Sequence, residues 1–323
     1  MPRLIIHIGS QKTGSTSIQT FLTQVEDKLA AKGINYVSAA RGPAAHNKLA
    51  YKRDTDNFPR LMRRLVREVQ GAPDQTHIIS AEMLFSPRMA SSLTEFLPAD
   101  LREETRIVGY IRRQDKFLEA MYKQVSKTGR FRGTPADYRR KRQNALNYSA
   151  TFDAYANGFG RENVVVLPYE PKSFPNKNVL FHVAPYLELG EIDPADLPEK
   201  FSNITLSREV SELLGVIANH TDIDIAELIR VIIRNESEGA FYSGDSYSPA
   251  EQREIVDHYV EDNEYIRATY RPDLDQLFDC SDLEGDLASA GVPAEEQVLR
   301  LRQAQLAVFQ AIGDSHTSAR KDT

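Results

Sequence analysis

Cysteine is almost missing from this chain: Cys280 is the only one in 323 residues. An intramolecular disulfide and a cysteine-based zinc site are thereby excluded, and any chemistry has to come from other side chains. Long apolar runs are missing as well. The run at residues 4 to 8 falls far short of the roughly 20 apolar residues of a membrane span and is too short for a secretory signal. The expectation is a cytoplasmic protein with no membrane span. Positive charge is not in excess, since 40 Lys and Arg against 46 Asp and Glu give a formal net charge of −6. That balance argues against a nucleic-acid partner, while a local basic site for a phosphorylated ligand stays open. Internal repeats and low-complexity blocks are absent too. What is present is a hydrophobic content of 41%, enough for a full core in a chain of this length.

The apolar pattern alternates between two periods. Residues 3 to 8 read as a short strand of nearly continuous apolar character, which suits the middle of a parallel sheet covered on both faces. A helix follows, with Ile18, Phe21, Leu22, Val25 and Leu29 on one face and Gly33 where a C-terminal cap belongs. Further strands are expected at 34–37, 77–80, 106–112 and 164–168. The strand at 106–112 runs into a helix that gathers Phe117, Leu118, Met121, Tyr122 and Val125 on one side. Such alternation implies an α/β fold, a three-layer parallel sheet flanked by helices. From about residue 176 the pattern is helical: 206–219, 224–235 and 249–268, the last opened by a capping box between Ser248 and Glu251. No further sheet is expected. Residues 272–297 are acidic and loop-like. A helix at 295–312 lines up Val298, Leu301, Val308 and Ile312, either to cover the domain or to pair in a homodimer, and a polar tail from Asp314 should fray.

Residues 9 to 16 read GSQKTGST, close to a phosphate-binding loop with its lysine displaced. In a nucleotide-triphosphatase loop, GxxxxGK[ST], lysine follows the second glycine and reaches the β and γ phosphates. Here Gly9 and Gly14 keep the spacing, Ser15 stands at the lysine position, and Lys12 lies two residues before Gly14. The backbone amides of residues 13 to 17, at a helix N-terminus, still make an anion site. A triphosphate also calls for a metal, usually held by an acidic residue closing a strand. No strand here ends in Asp, and Glu82, just past the strand at 77–80, is a poor match. A ligand with a 5′-phosphate and no metal requirement fits better.

Gln11 to Thr16, QKTGST, resembles the P-K-x-G-T-T loop of the sulfotransferases that use 3′-phosphoadenosine 5′-phosphosulfate (PAPS). His7 to Ser17, HIGSQKTGSTS, is similar to the "HIGxxKTGTTS" start of bacterial members. A second similarity lies at residues 108 to 115, VGYIRRQD, where the family's 3′-phosphate segment ends a strand in Arg and carries a serine eight residues later. Weaker echoes at 44–51, 77–84, 159–170 and 263–278 extend the resemblance over residues 1 to 280. It implies a P-loop-like sulfotransferase domain there, with core sheet 1–175 and helical part 176–280, followed by an acidic linker, C-terminal helix and tail at 281–323.

The resemblance also implies a reaction: transfer of the sulfuryl group from PAPS to an acceptor hydroxyl, expected to be that of a carbohydrate within the wider class of small-molecule or glycan acceptors, with the 3′,5′-bisphosphate PAP as product and no metal. Lys12 would stand beside the bridging oxygen of the leaving 5′-phosphate. Gln11, Thr13, Gly14, Ser15, Thr16 and Ser17 would cradle that phosphate, and Arg112 and Arg113 would serve the 3′-phosphate. The family serine is Ala120 here, with Ser126, Lys127 or Arg113 as substitutes. Two groups are candidates for the general base: His46, placed first for its near-neutral pKa, and Glu82, just past the carboxyl end of a strand. Plainer readings stand beside these. Arg112 and Arg113 could be solvated charges, His46 a surface loop residue, Glu82 a carboxylate at a helix start, and His7 a packed core histidine. The basic run at 139–142 is either a solvated helix face or a greeting for an anionic acceptor. The rival functions are a metal-dependent nucleotide or small-molecule kinase and a non-catalytic nucleotide-binding relative.

Overall fold

The computed structural model describes residues 4–198, 205–237, 239–242, 244, 246–284 and 293–319. Strand β1 (Leu4–His7) leads into α1 (Ser15–Gln24), α2 (Glu26–Ala31) and β2 (Ile34–Tyr36). Then come α3 (Lys48–Tyr51), α4 (Asn57–Gln70), β3 (Thr76–Ser80), α5 (Pro87–Phe96), α6 (Ala99–Glu103) and β4 (Thr105–Ile111). They are followed by α7 (Gln114–Ser126), α8 (Pro135–Arg142), α9 (Ser149–Phe159), β5 (Val164–Pro168) and α10 (Val179–Val183). Helices α11 (Arg208–His220), α12 (Ile225–Arg234), α13 (Pro249–His258), α14 (Val260–Tyr270) and α15 (Ala294–Ala319) complete the order. The chain forms two compact units, both discontinuous in sequence. One comprises Met1–Arg113, Asn147–Ser202 and Val260–Asp279; the other Gln114–Leu146, Asn203–Tyr259 and Cys280–Thr323.

The first unit holds the expected parallel sheet, in the order β2-β3-β1-β4-β5. Every pairing is parallel, with Ile6 beside Ile79 on one side and Ile107 on the other. Because side chains alternate across a strand, β1 sends Leu4 and Ile6 to one face and Ile5 to the other. Leu4 and Ile6 join a core with α4, α5 and α9 through Leu65, Leu93 and Phe152. Ile5 joins a second core with α1, α2 and α10 through Ile18, Leu29 and Leu180. The crossover leaving β1 thus runs on one face and the α9 crossover leaving β4 on the other. The two strands are neighbours, so the gap between their carboxyl ends is the topological switch point at which doubly wound sheets take ligands.

The second unit is helical. Val210, Leu228, Val231, Ala304 and Val308 pack α11, α12 and α15 together. Leu118, Tyr122, Tyr138, Ile255 and Tyr259 form a separate cluster around α7, α8 and α13. The predicted capping box at Ser248 and Glu251 opens α13, and a second one, Thr134 with Asp137, opens α8.

Several expected boundaries move. The periodic stripe from Ile18 to Leu29 is two helices, parted at Val25 (φ −106°, ψ 19°). The helix expected over 249–268 is likewise two, parted at Tyr259 (φ −111°, ψ 13°), whose ring is buried and whose hydroxyl donates to the Gln143 carbonyl. Beyond the sheet, Leu206 and Phe241 make an isolated antiparallel bridge. Helix α15 runs to Ala319, into the stretch expected to fray; residues 320–323 of that tail lie outside the described residues. Its outward stripe carries Leu306 and Phe309, 58% and 67% exposed. Among the described residues no helix is long and apolar enough to cross a membrane.

Candidate active site

The turn after β1, in the first unit, is held from both sides before it becomes a loop. Ile8 and Ser10 donate their amides to the carbonyls of Val108 and Tyr110 on β4, at 2.8 Å each, while Ala81 past β3 donates to the His7 carbonyl at 3.0 Å. The chain then enters the left-handed region twice, at Lys12 (φ 65°) and at Gly14 (φ 79°). Gly14 is suited to it, and Lys12 bears a cost on the order of 1 kcal/mol. The reversal sets consecutive amides to face one way, the nest geometry that binds anions. Helix α1 begins immediately at Ser15, and its first internal bond is from Ile18 to Gly14. The amides of Ser15 and Thr16 therefore precede the helical ladder and lie at the positive end of its dipole.

The side chains of this turn divide. Thr13 is fully buried and donates its hydroxyl to the Ser10 carbonyl at 2.5 Å, so its Oγ1 proton is spent inside the turn. Ser15 is buried at the head of the helix, whereas Thr16 is exposed and Gln11, Lys12 and Ser17 are half-buried. Gln11 turns its amide toward the Met83 sulfur at 3.5 Å. Lys12 is fixed through its backbone: Arg112, one residue past β4, donates from Nη1 to the Lys12 carbonyl at 3.1 Å. The Arg112 carbonyl in turn accepts from the Tyr148 hydroxyl at 2.7 Å, and its guanidinium lies 5.8 Å from the centre of the Tyr169 ring. Lys12 and Arg112, 100 residues apart, thus meet at the switch point. Arg113 follows directly on Arg112. It is 4% exposed and donates to the Asp279 carbonyl at 2.5 Å.

The two base candidates occupy different surroundings. His46 is fully buried, and both ring nitrogens serve the backbone. Nε2 lies 2.7 Å from the Val37 carbonyl, and Nδ1 accepts the Ser80 amide at 3.1 Å. These contacts fix the neutral tautomer with its proton on Nε2, and desolvation lowers the pKa to about 4. The ring staples the loop after β2 to the end of β3. Glu82 is half-buried in a short 3-10 turn just beyond β3. Gln19, one turn into α1, donates to its Oε2 at 3.1 Å, and Asn47 donates to its Oε1 at 3.1 Å. The carboxylate is therefore tied to the helix that starts at the anion turn.

No protein-family model matches the sequence, and no curated protein matches it. Solved structures are similar to it, two sulfotransferases among them. One is a sulfotransferase from Alicyclobacillus acidocaldarius, 16% identical with a TM-score of 0.38, covering 69% of this chain and 97% of that one. The other is the sulfotransferase domain from the curacin biosynthetic pathway, 13% identical with a TM-score of 0.36, covering 80% of this chain and 98% of that one. Both likenesses are of fold alone, so residue roles rest on this chain's own geometry.

Gln19 and Asn47 escaped the reading of the sequence. Gln19 had a signal, being a polar residue on the otherwise apolar face shared by Ile18 and Leu22, where it is 5% exposed. Asn47 had none beyond its place after His46. Tyr169 is a third: an added Cβ at Gly14 would stand 3.4 Å from its ring and 3.1 Å from Val179, which brings an aromatic side chain against the anion turn. Ser126 and Lys127, weighed as stand-ins for the serine absent at Ala120, lie in the second unit. There Ser126 is buried where α7 packs on α11 at Gly215, and burial lowers the pKa of Lys127. Among the described residues no group of three or more His, Cys, Asp or Glu side chains is clustered as a metal site.

Proposed function

We propose that this chain is a PAPS-dependent sulfotransferase acting on an acceptor hydroxyl, with carbohydrates the acceptor class to test first. The observation that carries the reading is the junction at the switch point: a nest of amides at the start of α1, Lys12 on its crest, and Arg112 bonded to the Lys12 carbonyl at 3.1 Å. A donor with phosphates at both ends of one ribose needs two cationic or amide-rich seats at a fixed separation, and the β1 and β4 ends supply one each. The 5′-phosphate would take the amides of the turn and of Ser15 and Thr16. Arg112 would take the 3′-phosphate as a charge-assisted fork.

In the transfer step, the acceptor oxygen forms a bond to sulfur while the bond from sulfur to the bridging oxygen of the 5′-phosphate breaks. The electron pair departs on that oxygen, beside the Lys12 ammonium, and a cation placed before the charge develops is the main electrostatic aid. The acceptor hydroxyl's proton passes to the general base. We assign that role to Glu82 rather than His46, because a carboxylate has lone pairs to spare after accepting two amide donors, whereas both His46 nitrogens are committed to the backbone. The arrangement calls for no metal ion in any step.

Incubating the protein with PAPS and a panel of sugar and small-molecule alcohols, and reading bisphosphate release, tests this function. Acceptor-dependent release supports it. Tight nucleotide binding with no release across the panel would point to a binding protein instead. Phosphoryl transfer from ATP with Mg²⁺ would make it a kinase.

A further inference from the structure

Two of the buried polar atoms without a hydrogen-bond partner belong to residues at the junction of β1 and the anion turn: His7 Nε2 and Ser10 Oγ, in residues 0% and 3% exposed. A donor buried without a partner costs roughly ten- to a hundredfold in a folding equilibrium, and such atoms are few in native interiors. The His7 ring is far from loose. Its Nδ1 lies 2.7 Å from Ser80 Oγ, and the Tyr110 ring meets it edge-on at 6.3 Å. His7 shares its face of β1 with Ile5, so the imidazole projects beneath the start of α1. Its tip fills the space a side chain on Gly9 would need: a Cβ there would stand 2.8 Å from His7 Nε2 and 3.2 Å from Thr13 Oγ1. The inner side of the Gly9–Thr13 turn therefore rests on the imidazole, while its outer amides form the nest.

We propose that His7 is a positioning residue of the anion site, its Nε2–H the inner donor against which the turn tightens, through Thr13 Oγ1, when an anion sits on the outer amides. With Ser80 donating its hydroxyl to Nδ1, the imidazole proton is left on Nε2. Burial keeps the ring neutral at ordinary pH, with its pKa lowered to about 4, so one donor and one acceptor are available. Thr13 Oγ1 already donates to the Ser10 carbonyl and still has lone pairs to accept with. Anion affinity thereby becomes coupled to a side chain that never touches the anion. The inference rests on the reading of this turn as an anion seat.

Two amide substitutions separate the ring nitrogens. In His7→Asn the side-chain amide reaches the Nδ1 position, which keeps the Ser80 contact and loses the inner donor. In His7→Gln the amide reaches the Nε2 position and keeps the donor. Calorimetric titration with adenosine 3′,5′-bisphosphate is expected to show affinity within about threefold of the parent for His7→Gln, and a loss of roughly tenfold or more for His7→Asn. The ¹⁵N resonance of His7 Nε2 in the parent protein should also shift on saturation with the bisphosphate. A purely structural role would make both affinities follow the melting temperatures and leave that resonance in place. Equal affinity of His7→Asn and the parent, or an unmoved Nε2 resonance, would overturn the role of His7 and leave the anion seat intact. Failure of the parent to bind either the bisphosphate or inorganic sulfate would remove the seat, and this proposal with it.

Discussion

In the proposed transfer, charge that builds on the leaving phosphate oxygen has to be met by a cation already in place; Lys12 is the proposed cation, and its backbone is held. The left-handed conformation at φ 65° and the Arg112 bond to its carbonyl set where the side chain starts. Lys12→Ala should therefore lower kcat by roughly a hundredfold or more while leaving bisphosphate affinity within about fivefold, measured by steady-state kinetics and calorimetry. Equal losses in both would reduce the lysine to a binding group. Glu82 and His46 part company in a similar test. Glu82→Gln should cut turnover by on the order of 10²- to 10⁴-fold with little change in melting temperature. His46→Leu removes both buried bonds to backbone and should cost on the order of 2 kcal/mol of stability or more, with the turnover of its folded molecules much less affected. The opposite pattern would return His46 to the role of base.

At the scale of elements, the helices on the two faces decide what the strands must be made of. Gly109 on β4 is an example: a Cβ there would stand 2.6 Å from the Phe152 ring of α9 and 3.2 Å from Ile8. Gly109→Ala should overpack that contact and destabilise the first unit by about 1–3 kcal/mol in urea unfolding; an unchanged midpoint would mean that α9 can retreat. The parallel sheet was legible because its strands are short apolar runs bounded by helices, with β3, β4 and β5 falling within a residue or two of their expected limits. The turn between β1 and α1 was legible because its two glycines, spaced as they are before a helix, break an otherwise continuous apolar pattern. Helix ends were less so. Val25 and Tyr259 carry on the apolar periodicity while leaving the helical backbone, and hydrophobic spacing does not encode φ and ψ. The surroundings of His46 were hidden for a related reason, since the carbonyl of Val37 and the amide of Ser80 are backbone groups, which any sequence offers everywhere.

For the molecule as a whole, two buried histidines in one unit make stability depend on pH. His7 and His46 are each lowered from 6.5 to about 4 by burial, so the unfolded chain binds protons that the folded chain refuses. Their contribution is fully present above about pH 6.5 and is lost as pH falls toward 4, by on the order of 2 kcal/mol for each at pH 5. Urea unfolding followed from pH 7 to pH 5 should show that decline; half of it would mean that one ring is reached by solvent, and a flat profile that both are. The proposed function depends on a different property, a preference of the turn at the switch point for a 5′-phosphate without metal over a metal-bound triphosphate. Calorimetric titration of the intact protein with adenosine 3′,5′-bisphosphate in the presence of EDTA, and with ATP and Mg²⁺ in parallel, reads that preference directly. The expected result is saturable binding of the bisphosphate in EDTA, with ATP–Mg²⁺ at least about tenfold weaker. Tight binding of ATP that requires Mg²⁺, with none of the bisphosphate, would contradict it.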